Sequence, residues 1–183
     1  MESKPKRKMR PGRGKAKGNS FENTVAKKLS AALDPMKFIR TQGSGARVGG
    51  KNFETLGQMF GEDALKLFVG DVVPVNEKDV GRTFKFSVEC KSYAKSDSFE
   101  TLVAGNSNLF KWMQESIDDS QKIGKIPMLV FKWNHTPIYV ALLSNAYSEE
   151  YSSHVKLKLN QHHYNIDVFY LDELLGNKDF WIE

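Results

Sequence analysis

Three acidic or basic side chains in the middle of this sequence are suited to chemistry. Asp71 lies inside the apolar stretch FVGDVVPV (68–75), where an unpaired carboxylate is costly to bury. Backbone amides or a lysine at a strand end could compensate its charge, and so could a metal ion. Glu89 and Lys91 follow in TFKFSVECK (83–91), where period-two alternation directs both side chains to one face. If the two stretches pair as antiparallel strands, all three side chains meet.

Two carboxylates beside an ammonium group can bind Mg²⁺ and position a water next to a phosphodiester bond. Glu-x-Lys alone is more typical of a solvated strand face with alternating charges. Glu22 falls in the first turn of a predicted helix, where the helix dipole favours an acid, although the helix could also aim it at the same site. Taken singly, each residue therefore has an ordinary structural explanation as well.

A second group of residues could contact phosphates. The segment GSGARVGG (43–50) carries four glycines and predicts either a flexible loop or a close approach of the backbone to a phosphate. Arg40, Ser44 and Arg47 lie in or beside it. Arginine suits bidentate phosphate contacts and serine a single hydrogen bond. The structural alternative is a turn with surface arginines.

The elements that must position these residues follow from the apolar pattern. Apolar residues recur every four positions from Phe21 to Leu33 and predict a helix, capped by Asn19 or Ser20, that ends before Asp34. The other predicted elements are a strand at 37–42, a helix at 53–67, a hairpin of strands 68–75 and 83–91, a helix at 108–123, a strand pair at 128–133 and 138–143, two short strands within 154–171 and a helical turn at 172–176. This order predicts an α/β fold with a mixed β-sheet flanked by helices.

The charge of the chain is unevenly distributed. The net charge of +5 combines +7 in residues 1–17 with −2 in residues 18–183. The first segment also has two prolines, two glycines and no aromatic residue, so we predict a disordered basic arm. It could be a solubilising or targeting tail, or it could bind nucleic acid through phosphate contacts from Lys4, Lys6, Arg7, Lys8, Arg10, Arg13, Lys15 and Lys17.

Length and composition exclude several classes of protein. Residues 18–183 suffice for one domain, which we divide into a core at 18–143 and a C-terminal extension at 144–183. No apolar run approaches the ~18 residues that cross a bilayer. The single cysteine, Cys90, excludes an internal disulfide and a cysteine-based zinc site. We expect a soluble, cytoplasmic protein of prokaryotic or viral origin, with no membrane partner and no small-molecule cofactor.

Two other motifs lack the spacing that their chemistry requires. His162 and His163 are adjacent and would point to opposite sides of a strand, so surface or packing roles are favoured over metal binding. Gly43-x-Gly45 lacks the third glycine and the strand-helix context of a dinucleotide fold.

The combined order and spacing resemble the PD-(D/E)xK metal-dependent nucleases, and within them the archaeal-type Holliday junction resolvases. In that family a helix carries an early glutamate, followed by Arg-x-x-Gly-Ser-Gly, Gly-Asp and Glu-Cys-Lys-Ser. The matching segments here are GNSFENTVAKKL (18–29), FIRTQGSG (38–45), VGDVV (69–73) and VECKSY (88–93), so the resemblance covers roughly 18–133. It implies a restriction-endonuclease-like core.

The resemblance also implies roles for individual residues. Glu22, Asp71 and Glu89 would be metal-site carboxylates, joined by the backbone carbonyl of Cys90, and Lys91 would orient the water or stabilise charge. Arg40 and Ser44 would contact phosphates of the scissile strand, with Arg47 as a further nucleic-acid contact. Gln114 would match a glutamine often found in the second helix of the family.

The activity implied by this resemblance is hydrolysis of DNA with Mg²⁺ or Mn²⁺, by paired nicks at four-way junctions. A homodimer would follow because such a junction has two-fold symmetry. The sequence departs from the family in the segment 46–69, which intervenes between the Gly-Ser-Gly and Gly-Asp motifs. Two alternatives therefore stay open. One is another PD-(D/E)xK DNA nuclease of restriction, repair or single-strand type, and the other is a non-catalytic nucleic-acid-binding module.

Overall fold

The computed structural model describes residues 13–41, 69–161 and 164–183, with the side chains of 13–15 and 161 excepted. The glycine-rich segment 43–50, with Ser44 and Arg47, lies outside the described residues, as do the predicted helix at 53–67 and both adjacent histidines. Within the described part, no helix is both long and apolar enough to cross a membrane.

Seven strands and five α-helices make up the described part of the chain. The strands are β1 (Phe38–Arg40), β2 (Val72–Pro74), β3 (Phe86–Tyr93), β4 (Ile126–Trp133), β5 (Tyr139–Leu143), β6 (Leu157–Gln161) and β7 (Tyr164–Tyr170). The helices are α1 (Arg13–Ala32), α2 (Glu77–Val80), α3 (Phe99–Val103), α4 (Asn108–Gln121) and α5 (Leu171–Leu174), with 3₁₀ turns at Glu149–His154 and Lys178–Phe180.

The strands form one mixed sheet in the order β1-β2-β3-β4-β5-β7-β6. β3 and β4 are parallel, as expected for strands joined through a helical crossover, and the other neighbours are antiparallel. The mixed sheet with flanking helices confirms the predicted fold class. The predicted hairpin is also confirmed, because β2 pairs antiparallel with β3 and Val72 faces Val88.

Each face of the sheet has its own hydrophobic core. One core lies under α1 and includes Val25, Leu29 and Val88. The other lies under α4 and includes Trp112 and Met113 of that helix, packed against β4 and β5. Because alternate residues of β3 point to opposite faces, this strand contributes to the α1 core with one set of side chains and faces α4 with the other.

The start of α1 differs from the prediction. The helix begins at Arg13 rather than after a cap at Asn19 or Ser20, so the prediction of disorder was wrong for residues 13–17. A glycine inside a helix costs about 1 kcal/mol relative to alanine, which is why Gly18 suggested a boundary. In the structure, Lys17 Nζ donates to Asn134 Oδ1 at 2.7 Å, and this contact with the β4–β5 turn supports the additional turns.

The segment 144–183 is part of the same sheet and core rather than an appended extension. Its strand β7 pairs with β5 along five residue pairs. Its last residues return to the segment just before β3, where Phe84 forms an isolated bridge with Ile182. Trp181 is fully buried in the α1 core. The sequence beyond the family motifs therefore completes the hydrophobic core that supports the candidate site.

Candidate active site

Asp71 lies just before β2 rather than inside a long strand. The backbone bends at Gly70, whose φ of +91° lies in the left-handed region, and a Cβ on Gly70 would be 3.1 Å from the Val88 carbonyl oxygen. This close approach lets Asp71 N donate to Val88 O at 2.7 Å. The Asp71 carboxylate then accepts from Cys90 N at 2.9 Å through Oδ2. The glycine of the Gly-Asp motif thus seats the aspartate against β3.

Glu89 and Lys91 share one face of β3, as the alternation predicted. Cys90 lies between them and Val88 precedes them, and both are buried in the core under α1. Lys91 Nζ lies 2.8 Å from Glu89 Oε1, and both side chains are about four-fifths buried. The ammonium group and the carboxylate therefore form an ion pair that is largely shielded from water.

Glu22 and Arg40 approach the site from α1 and β1. Glu22 lies near the middle of α1, directly after the buried Phe21, rather than in the first turn of the helix. Its Oε2 is 3.2 Å from Arg40 Nε. Both side chains are more than four-fifths buried. β1 is held beside Asp71, because Thr41 N donates to the Asp71 carbonyl oxygen at 2.9 Å. Arg40 is thus placed next to the carboxylates, in contact with Glu22.

The charge of Asp71 acts on both glutamates of the candidate site. Burial, and then the charge of Asp71, raise the pKa of Glu89 to about 7, against the lowering effect of Lys91. Burial and then Asp71 also raise the pKa of Glu22, and Arg40 opposes this. Asp71 therefore lies within electrostatic reach of both glutamates, although the three residues come from separate elements on different sides of the sheet.

The chemistry of these donors fits a divalent cation. They are oxygen ligands, which Mg²⁺ and Mn²⁺ prefer, and a cation would relieve the mutual repulsion that raises the two glutamate pKa values. In the rotamers of this structure, however, Glu22 and Glu89 are paired with Arg40 and Lys91. Accordingly, within residues 13–41, 69–161 and 164–183 no three His, Cys, Asp or Glu side chains stand ready to hold a metal ion.

Cys90 has no role through its thiol. The side chain is buried, and burial followed by the charges of Asp71 and Glu89 raises the pKa of the Cys90 thiol well above its usual range. The thiol is therefore protonated at neutral pH and is neither a nucleophile nor a thiolate ligand. The predicted contribution of Cys90, through its backbone carbonyl, stays a prediction.

Glu115 is a site residue that the sequence did not reveal. Its Oε2 lies 2.9 Å from Lys91 Nζ, so the lysine is held between two carboxylates. Burial alone would lower the pKa of Lys91, but Glu89 and Glu115 reverse this and raise it, so the ammonium stays charged. Gln114, the residue proposed from the resemblance, instead donates to Asp118 on the exposed side of α4. No local sequence signal marks this contact, which joins residues 24 positions apart.

We expect Glu115→Gln to reduce the rate of DNA cleavage by about ten- to a hundredfold, with little change in DNA affinity, because the variant loses a charged partner of Lys91. The measurement is single-turnover cleavage at saturating enzyme, with binding measured separately. Asp118→Asn on the exposed face of the same helix removes the same charge and should cleave normally. Equal rates for wild type and Glu115→Gln would show that Glu89 alone positions Lys91.

The raised pKa of Glu89 also predicts a pH dependence of stability. In the folded protein Glu89 holds its proton up to about pH 7, whereas its ordinary value is 4.5. Folding therefore favours the protonated form, and stability is lost as pH rises through this window. As pH rises through this window, the free energy of unfolding of Glu89→Gln should therefore increase relative to that of the wild type, by up to about 3 kcal/mol. Urea denaturation in EDTA measures both free energies.

Added Mg²⁺ should stabilise the wild type at pH 8 and have a smaller effect on Glu89→Gln, because an ion that binds only the folded state raises its stability. Glu100→Gln, on the exposed surface of α3, is the matched control and should follow the wild type throughout. If the free energies of unfolding of Glu89→Gln and wild type differ by the same amount at every pH, the raised pKa of Glu89 is not the cause of the difference.

Comparison with known proteins places the chain in a family. A family model described as "Phage putative PDDEXK endonuclease" matches residues 13–180. Curated proteins provide no match. Among solved structures, Hjc from Archaeoglobus fulgidus, a Holliday junction resolvase from an archaeal hyperthermophile, is similar with a TM-score of 0.43 and 12% identity, over 88% of this chain and 97% of that chain. The family match spans every element that contributes to the candidate site and confirms the resemblance to PD-(D/E)xK nucleases, so the chain belongs to the phage putative PDDEXK endonuclease family.

Proposed function

We propose that this protein is a metal-dependent endonuclease that hydrolyses DNA phosphodiester bonds with Mg²⁺ or Mn²⁺. One observation carries the proposal: Asp71 accepts from Cys90 N, between Glu89 and Lys91 on β3, and Lys91 lies 2.8 Å from Glu89. The charge of Asp71 also raises the pKa of Glu89 and of Glu22. Repulsion among like charges destabilises the fold, and such a cluster is typical of a site that binds a cation. The family supplies the reaction class.

In this proposal the metal site consists of Asp71, Glu89, the Cys90 carbonyl and Glu22. When bound, a divalent ion supplies Lewis acidity and positive charge at the scissile phosphate. Turning the Glu22 and Glu89 side chains toward the ion would release Arg40 from Glu22 and leave Lys91 paired with Glu115. These two cations would then be available to the phosphate.

Lys91 has the position expected of a group that stabilises negative charge in the transition state. Its ammonium is fixed by Glu115 as well as Glu89, so it would keep its place when Glu89 turns away. A preorganised charge in a shielded site stabilises developing charge more than a mobile charge in water. Arg40, with Ser44 and Arg47, would contact the phosphates of the cleaved strand.

We further propose that the substrate is branched DNA of the four-way junction type, so that the protein acts inside the cell in recombination or repair. The Arg-x-x-Gly-Ser-Gly and Glu-Cys-Lys-Ser motifs support this assignment through their resemblance to the junction resolvases. Two symmetric nicks require two active sites, so we propose a homodimer.

The test is a cleavage assay in Mg²⁺ with a four-way junction, a flap, a linear duplex and a single strand of shared sequence. Paired nicks near the branch point, with little cleavage of plain duplex, support junction resolution. Equal cleavage of linear duplex would favour a restriction-type or repair nuclease. Absence of cleavage of every substrate, with binding retained, would favour a non-catalytic binding module. The presence of all three carboxylates and of Lys91 argues against that module.

Deleting residues 1–12 is expected to weaken DNA binding and flatten its salt dependence while sparing the chemical step. This segment has five basic residues and one acidic residue, and it ends before α1 begins. Loss of five phosphate contacts would reduce the slope of log affinity against log salt by up to about 4. Fluorescence anisotropy between 50 and 200 mM salt measures the slope, and single-turnover cleavage at saturating enzyme measures the chemistry, which should be unchanged. An unchanged slope would show that residues 1–12 do not contact DNA.

A further inference from the structure

Tyr93 continues the line of site residues along β3. Alternation places Glu89, Lys91 and Tyr93 on the same face of the strand, and Tyr93 is the last residue of β3. Its side chain is 47% exposed, in contrast to the buried apolar residues of this strand. An exposed aromatic ring therefore stands next to the lysine of the candidate active site.

The ring of Tyr93 is supported from beneath. Its centroid lies 4.6 Å from that of Trp112 of α4, with the ring planes 31° apart, and Trp112 itself is buried. The start of α4 is held in place, because Asp97 accepts from Ser107 Oγ at 2.7 Å and from Asn108 N at 2.8 Å. One side of Tyr93 thus packs on a fixed indole ring while much of the ring remains accessible to a ligand.

Further aromatic rings extend from Tyr93 across the same end of the sheet. Trp133 is the register partner of Tyr93 on β4. The ring centroids of Trp133 and Tyr139 are 5.7 Å apart, and those of Tyr139 and Tyr170 are 5.6 Å apart. These last three rings are partly accessible. We define the aromatic row as Tyr93, Trp133, Tyr139 and Tyr170; it crosses four neighbouring strands and starts at the active-site strand.

Spacing and charge both favour DNA as the occupant of this surface. Alternate side chains on one face of a strand are about 6.5 Å apart, so a DNA strand with its phosphate at Lys91 has a neighbouring base within reach of Tyr93. Lys95, two residues after Tyr93, and Lys111, one residue before Trp112, are exposed cations that can contact flanking phosphates. Inside an intact duplex the bases stack on each other, so an aromatic ring stacks most readily on an unpaired base.

We propose that Tyr93, supported by Trp112 and continued by the aromatic row, is a stacking platform for unpaired bases next to the cleaved phosphate. The inference rests on the proposed nuclease function and deepens it by naming the substrate class: DNA with unpaired bases beside the cut, as at flaps, strand ends or an opened branch point. The platform would hold the strand in register with the catalytic lysine.

The test compares Tyr93→Leu, which removes the aromatic ring, with Tyr93→Phe, which retains it. Binding of the full chain to a labelled single strand and to a blunt duplex of equal length is measured in EDTA, so that no cleavage occurs. Tyr93→Leu should bind the single strand roughly tenfold more weakly and the duplex almost normally, whereas Tyr93→Phe should match the wild type. No loss of affinity, or an equal loss for both DNAs, would overturn the platform.

A second measurement does not depend on the stability of the variant. In the wild type, an abasic site moved along the single strand should weaken binding roughly tenfold at one or two positions, where the missing base would have stacked. A uniform effect at every position would contradict the proposal. In the Tyr93→Leu variant, an abasic site at those positions should weaken binding no more than an abasic site elsewhere in the strand. Thermal unfolding checks that the variant is folded.

Cleavage by Asp71→Asn separates this inference from the proposed function. If Asp71→Asn abolishes cleavage and Tyr93→Leu binds single strands normally, the nuclease assignment holds and the platform is wrong. If Tyr93→Leu loses single-strand binding and neither wild type nor variant cleaves DNA, the platform holds as a binding surface and the nuclease assignment is wrong.

Discussion

Asp71→Asn is expected to reduce DNA cleavage at least about a thousandfold and to leave the fold intact, because it removes the charge central to the proposed metal site. Asp71 is the carboxylate that acts on both Glu22 and Glu89. The amide oxygen of asparagine can still accept from Cys90 N, the bond that Asp71 Oδ2 accepts at 2.9 Å. The variant should thus keep the local backbone arrangement and lose negative charge. Single-turnover cleavage in Mg²⁺ measures the effect.

Asp79→Asn is the matched control for this experiment. Asp79 is exposed on α2, next to the same strand pair, so its replacement changes net charge equally without touching the site. It should cleave DNA at the wild-type rate. Cleavage by Asp71→Asn at a rate near that of Asp79→Asn would mean that the nuclease site lies elsewhere in the chain.

Lys91→Met should reduce the cleavage rate by about a hundred- to a thousandfold, because it removes a preorganised positive charge while retaining a side chain of similar length. The same change leaves Glu89 and Glu115 without the ammonium that lies 2.8 Å from one and 2.9 Å from the other. Loss of that neighbour should raise the pKa of Glu89 further, since Lys91 is among the groups that lower it. Single-turnover cleavage and urea denaturation at several pH values measure the two effects.

The structure offers a control for the lysine as well. Lys78 on α2 is exposed and remote from Glu89, so Lys78→Met removes one positive charge without altering the site. It should retain activity. If Lys91→Met cleaves as well as Lys78→Met, Lys91 has a structural role in neutralising two carboxylates, and its assignment to the chemical step is wrong.

Local patterns predicted the parts of the site that depend on local geometry. The period-two alternation of FKFSVECK placed Glu89 and Lys91 on one face because any β-strand directs alternate side chains to opposite sides. The four-residue recurrence from Phe21 placed Glu22 on a helix packed over the sheet for the same kind of reason. The polar turn between strands predicted the hairpin, and the hairpin brings Asp71 to β3.

Other features depend on contacts between distant parts of the chain. Glu115 reaches Lys91 across 24 positions of sequence, and nothing in its immediate neighbours marks that contact. Lys17 bonds to Asn134 across 117 positions of sequence, and that bond supports the first turns of α1. The predicted helix cap at Asn19 or Ser20 had left these turns out of the helix. The shortening of the Asp71 strand follows from the close approach of Gly70 to Val88, which is likewise a contact between strands.

By itself the sequence determined the nuclease family and the fold class, and it predicted Glu22, Asp71, Glu89 and Lys91 for the candidate site, because residue types, periodicity and motif order are local properties of the chain. Only the tertiary structure decided how the charges balance. It paired Glu22 with Arg40, held Lys91 between Glu89 and Glu115, and set Tyr93 on Trp112 beside the lysine. Burial and the distances between charged groups control pKa values and ion pairs. These quantities exist only once elements far apart in the sequence have packed together.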